Sequence, residues 1–144
     1  MIFLLLCLLS FSAKAFCFDE AGAKHRIDPV LLEAIAKTES SLNPAAINRN
    51  RNGSIDLGLM QINSSHLKSL RRQGVTKSKL KKDACLNVNV GAGILADSIK
   101  RHGRNWKAVG AYNSGVPEIQ QRYIGKVWAN YQSLISRSKQ ERKA

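Results

Sequence analysis

Glu39 is an acid on an apolar stripe. Counting back along a helix, its same-face neighbours are Ala36, Ile35, Leu32 and Leu31, so its side chain projects from the face that otherwise seeks a core. The position is also near the helix's C-terminal end. Two effects there raise its pKa: burial disfavours the anion, and the C-terminus carries partial negative charge. A carboxylic acid kept protonated near neutral pH can act as a general acid, as glycosidic cleavage requires. Spacing alone fits equally well a stripe that ends by Ser40, with Glu39 solvated in the last turn. The other acids have simpler roles. Glu33 and Lys37 form an ordinary surface i,i+4 pair, Asp28 suits a helix cap, and Glu141 lies in a charged tail. Asp56 is the one second catalytic carboxylate that proximity suggests, and a turn residue bonded to local backbone is the preferred reading of it. His25, His66 and His102 lack metal-ligand spacing, and HExxH, CxxC and phosphate-binding glycine loops are absent. No metal and no cofactor is expected.

The elements that must position Glu39 read as mostly helical. Asp28-Pro29 is a strong helix start, and Asn43-Pro44 closes the helix soon after Ser41. Residues 45–63, rich in Asn, Arg and Gly, read as an ordered loop with a short strand or hairpin near 55–62. Ser64 or Ser65 can cap a short helix that Gly74 stops. Residues 77–82 (KSKLKK) read as a basic loop. A second clear helix runs over 87–102, with Val88, Ala92, Leu95 and Ile99 as its apolar stripe. Gly91 and Gly93 inside it weaken the helix and point to close packing there. Asn105 can cap a third helix ending near Ser114. Pro117 opens a fourth, with Ile119, Tyr123, Val127, Tyr131 and Leu134 on one face. Trp106 and Trp128 are expected in the core, and the tail from Arg137 is expected to fray.

Composition bounds the setting. The chain has 144 residues, 44% of them hydrophobic, and a formal net charge of +13. That length suits one domain, and the charge predicts a negatively charged partner. Residues 1–11 form an apolar run without a charged side chain, too short to span a bilayer with ease. With Ala13-x-Ala15 after it, the pattern reads as a secretory signal cleaved after Ala15. A periplasmic location and no membrane span after cleavage are the expectations. Loss of the leader removes Cys7 and leaves Cys17 and Cys85. An even pair in an exported chain suggests a disulfide, with two free buried thiols as the alternative. The positive residues are dispersed and no recognition motif is evident, so no specific nucleic acid is expected.

Four ordered segments add specificity. Glu39-Ser40 precedes Asn43-Pro44-x-Ala46. Gly58-Leu59-Met60-Gln61-Ile62-Asn63 follows, then NVNVGAGIL over 87–95, then Ala111-Tyr112-Asn113-Ser114-Gly115. Tyr123 and Val127 close the series. In kind and order these resemble the signature of the soluble lytic transglycosylases. The small size, leader and basic character further resemble the specialised members of type III and type IV secretion, pilus and conjugation systems.

The resemblance implies a mainly α, lysozyme-like (goose-type lysozyme/transglycosylase) fold with a small hairpin or loop region near a sugar-binding cleft. The implied layout is a signal over 1–15, a catalytic domain over 16–136 and a basic tail over 137–144. The implied activity is cleavage of the MurNAc–GlcNAc β-1,4 bond of peptidoglycan with 1,6-anhydro-muramyl ends. Glu39 then aligns with the family's acid/base. Ser40, Asn48, Gly58, Met60, Gln61, Asn63, Tyr112, Asn113 and Tyr123 become candidate substrate-binding residues. Asn48 stands where many relatives carry Ser. Amides suit acetamido and hydroxyl groups, Met60 could pack on a sugar face or in the core, and Gly58 would permit close backbone approach. The hydroxyls of Tyr112 and Tyr123 could serve the acid or be satisfied elsewhere. The implied partners are glycan strands and components of a secretion, pilus or conjugation apparatus, with the enzyme a monomer. A hydrolytic lysozyme on the same fold and a non-catalytic wall-binding assembly protein are the rival readings.

Overall fold

Local chemistry sets the helix boundaries. A computed structural model describes residues 16–144; the expected leader, its cleavage site and Cys7 lie outside the described residues. The described order is α1 (Phe18–His25), α2 (Pro29–Ser40), β1 (Ile47–Arg49), β2 (Ile55–Leu57), β3 (Ile62–Asn63), α3 (Leu67–Arg71), α4 (Lys77–Lys82), α5 (Ala84–His102), α6 (Trp106–Asn113) and α7 (Pro117–Glu141). Asp28 caps α2 by accepting from the Val30 N–H at 2.9 Å, with Pro29 in the first turn. Asn105 caps α6 through the Ala108 N–H. Gly103, at φ 85°, ends α5. These are the devices the sequence predicts.

Several expectations need correction. Residues 77–82 are a helix, because the Thr76 hydroxyl accepts from the Lys79 N–H and Leu80 anchors the turn in the core. The hairpin expected near 55–62 is present as β2 and β3, and β1, which the sequence did not indicate, extends it to an antiparallel sheet in the order β1-β2-β3. Asn63 caps a 3-10 turn over Ser64–His66 that leads into α3, its side chain accepting from the Ser65 N–H; Ser64 accepts from the Ile55 N–H instead. Helix α5 begins three residues before Asn87, where Asp83 accepts from the Leu86 N–H. The tail continues α7 to Glu141, and Arg137 reaches Glu33 at 3.7 Å across to α2. Trp128 is 46% exposed, standing edge-on to Trp106 and stacked with Tyr131 at the surface. Helix α1 had no counterpart in the sequence reading.

The core lies where α2, α5, the sheet and α7 meet. Leu32, Ile35, Leu57, Leu59, Met60, Val88, Leu95 and Val127 are fully buried there. Cys17, just before α1, is bonded to Cys85 in the first turn of α5. Two tyrosines of α7 reach the two ends of α2. Tyr131 donates to Asp28 at 2.6 Å, and Tyr123 donates to Glu39 at 2.7 Å.

Candidate functional site

The segment after β2 sets the floor of the site. Gly58 takes φ 73°, a left-handed conformation that costs glycine little. A Cβ there would collide with the Asn87 side chain. Asn87 is a buried polar residue on α5. It donates to the Leu57 carbonyl at 2.8 Å and the Leu80 carbonyl at 3.1 Å, and accepts from the Met60 N–H at 2.9 Å. Ser40 donates toward the Leu59 carbonyl at 2.8 Å, and Tyr112 donates to the Met60 carbonyl at 2.8 Å. Side chains from α2, α5 and α6 thus hold one short stretch of backbone.

Above it opens a cleft of about 930 Å³, lined by Glu39, Asn48, Gln61, Asn63, Tyr112 and Asn113 among others. Glu39 is half-buried at the end of α2. Burial pushes its carboxyl up to about 7; the Tyr123 hydrogen bond opposes the rise, and the Asp56 carboxylate adds to it. Burial is the main cause, as the sequence predicts, and the Asp56 carboxylate is a cause to which the sequence did not point. Tyr123 is 6% exposed. Burial, with the Glu39 charge behind it, holds its hydroxyl well above the usual tyrosine range, so it remains a donor to the carboxyl.

Six of the candidate residues therefore line one cleft, and Tyr123 reaches Glu39 from an adjoining recess. Three candidates do not face it. Met60 is 0% exposed and packs against Gly91, where a Cβ would come within 2.7 Å of its side chain. Gly58 gives close approach to Asn87 instead of to a ligand. The Ser40 hydroxyl is directed to backbone carbonyls. Two lining residues are committed internally as well. The Gln61 amide donates to the Ala46 and Gly58 carbonyls. The Asn63 amide donates to Asp56 at 2.7 Å. Tyr112 presents its ring to the cleft while its hydroxyl is held by Met60.

Asp56 was expected in a turn. It lies instead on β2, facing Asn48 in register, and lines the same cleft as Glu39. Its two oxygens accept from Asn50 at 3.0 Å and Asn63 at 2.7 Å. Asn50 went unremarked in the sequence; its spacing from Asp56 is legible only once the hairpin is known. His66, weighed in the sequence only as a metal ligand, also lines the cleft; a lone histidine carries no local signal of such a place. Among the described residues no group of His, Cys, Asp or Glu is placed to hold a metal ion.

A half-buried acid over a polar cleft limits the possible chemistries, and the chain's relatives decide among them. The profile of the transglycosylase SLT domain matches residues 16–133. This chain belongs to that family. It is a peptidoglycan lytic transglycosylase of the SLT type. Among its relatives, the invasion protein IagB of Salmonella typhimurium is 46% identical over 135 residues, covering 91% of this chain and 84% of IagB. The protein IpgF of Shigella flexneri is 39% identical over 143 residues, covering 96% and 94%. An inactive mutant of the lytic transglycosylase Slt from Pseudomonas aeruginosa superposes with a TM-score of 0.65 at 20% identity. That match covers 83% of this chain and 23% of the Slt chain, and speaks to the shared fold. The SLT domain carries the mainly helical, lysozyme-like architecture with its small sheet beside the cleft, as the sequence predicts. No helix among the described residues is long and apolar enough to cross a membrane.

Proposed function

We propose that Glu39 is the acid and then the base of a MurNAc–GlcNAc cleavage that leaves 1,6-anhydro-MurNAc ends. The observation that carries this reading is a half-buried carboxyl, raised to about 7, donated to by Tyr123 at the edge of a polar cleft. In the first step the Glu39 proton passes to the glycosidic oxygen as the bond to the anomeric carbon breaks. The MurNAc acetamido group stabilises the oxocarbenium-like centre. In the second step the Glu39 carboxylate takes the proton of the C6 hydroxyl, and that oxygen bonds to the anomeric carbon of the same sugar. Intramolecular attack gives the hydroxyl a high effective concentration.

The setting proposed is the periplasm, after loss of residues 1–15, with the wall opened locally for a secretion, pilus or conjugation apparatus. The likeness to a protein named for invasion supports that role. The test is mass spectrometry of purified peptidoglycan after digestion, wild type beside Glu39→Gln. Anhydro ends from the wild type and almost none from the variant are expected.

One observation favours a second reading. Asp56 shares the cleft with Glu39, and paired carboxylates suit hydrolysis by water. Reducing ends without anhydro products would establish that hydrolytic reading in place of the first.

A further inference from the structure

The cleft does not stop at His66. His66 and Ile94 line both it and a second groove of about 560 Å³ between α1, α3 and α5. His25 forms part of one wall. Its imidazole is hydrogen-bonded to the Asn89 side chain at 3.0 Å, and it lies over Gly93, whose Cβ would stand 3.4 Å from the ring. The groove is therefore built from held side chains at that end.

The charge changes sign along this trough. The charged side chains lining the cleft, histidine aside, are two carboxylates, Glu39 and Asp56. The groove is lined by Lys24 and Lys100, with Asp97 as its acid. Asp97 approaches Lys100 at 3.5 Å, but the two side chains are 70% and 79% exposed, and so wet a pair holds neither partner firmly. Arg101 adds positive field at His66. Hydroxyl and acetamido groups of a bare glycan have little use for ammonium groups. The peptide stems that hang from MurNAc carry free carboxylates.

We propose that this groove takes the acidic peptide stem of a glycan bound in the cleft, with Lys24 and Lys100 as its carboxylate partners. The enzyme then prefers stem-bearing strands to stripped ones. This rests on the Glu39 reading of the cleft and deepens it.

The test compares glycan strands with stems and the same strands stripped by an amidase, following anhydro-end release. The variants are Lys24→Glu with Lys100→Glu, the milder Lys24→Gln with Lys100→Gln, and Lys77→Glu with Lys81→Glu as an equal charge change on α4 outside the groove. All four positions carry exposed lysines, and circular dichroism checks each fold. Wild type should show a KM roughly threefold lower for stem-bearing strands, the scale that two exposed ion pairs supply. The groove Glu pair should abolish most of that ratio, the Gln pair part of it, and the α4 pair little. Equal KM values on the two substrates in wild type would overturn the proposal. So would a ratio shifted equally by the groove and α4 pairs, which marks general attraction to a basic surface. Absence of anhydro ends from either substrate would instead sink the Glu39 reading, and this proposal with it.

Discussion

On the proposed mechanism Glu39 and Tyr123 form the chemical unit, joined by a hydrogen bond of 2.7 Å, and the predictions at the residue scale concern the proton between them. The acid form is needed for the first step, so kcat/KM should fall as pH rises through about 7. The Tyr123 bond lowers the Glu39 pKa. Tyr123→Phe should therefore move the alkaline limb to higher pH, while poorer orientation reduces kcat/KM roughly tenfold. A pH–rate profile of both proteins checks the direction. The same pKa has a cost in stability. The folded state holds the Glu39 proton more tightly than the unfolded chain, whose glutamate titrates near 4.5, so rising pH destabilises the fold between there and about 7. That cost is on the order of 3 kcal/mol above pH 7. Glu39→Gln should melt above wild type at pH 8, with the advantage fading toward pH 4. Helical spacing made the apolar setting of Glu39 legible, but not its partner. Tyr123 lies 84 residues away, and no local pattern joins two helices. Asp56 was misplaced, and the two readings of Met60 stayed open, for a related reason, because strand register decides which side of β2 and its turn each faces.

At the scale of elements, the stretch from Leu57 to Gln61 is held by α2, α5 and α6 together. Asn87 is the central member, with hydrogen bonds to three backbone groups. Asn87→Ala leaves a buried N–H and two carbonyls short of partners, at a cost of about 3 to 5 kcal/mol. Urea unfolding should show the midpoint falling with the slope unchanged. Caps and Pro/Gly punctuation made α2, α5, α6 and α7 readable, because those signals are local. Helix α4 was not readable in the same way. Four lysines in KSKLKK suggest solvent, and what makes it a helix is Thr76 at one end and Leu80 in the core. Strand β1 is exposed along its whole length, so it lacks the alternation by which strands are recognised.

For the whole molecule, the Cys17–Cys85 bond closes a loop with a sequence separation of 68. The chain-entropy model assigns such a loop roughly 4 kcal/mol. Reduction, or Cys17→Ser with Cys85→Ser, should lower unfolding stability by up to that amount, measured by denaturant titration with and without reductant. The bond fastens α1 to α5 at the start of the described chain. The net charge of +13 takes a sharper meaning from the trough. The charged lining of the cleft, histidine aside, is acidic, while the basic residues lie around it, so the surface can hold an anionic wall without neutralising Glu39.

The triple hold on the backbone around Met60 bears on how such enzymes lose function over evolutionary time. Ser40, Gly58, Met60 and Asn87 are signature residues, yet here they build the scaffold. Selection for a folded domain would preserve them after the proton donor had gone. A descendant with Gln at position 39 would keep nearly every mark of its ancestry and remain a competent wall-gripping shell. On the Glu39 mechanism proposed above, a retired enzyme of this lineage would be recognised by the one acid it had exchanged.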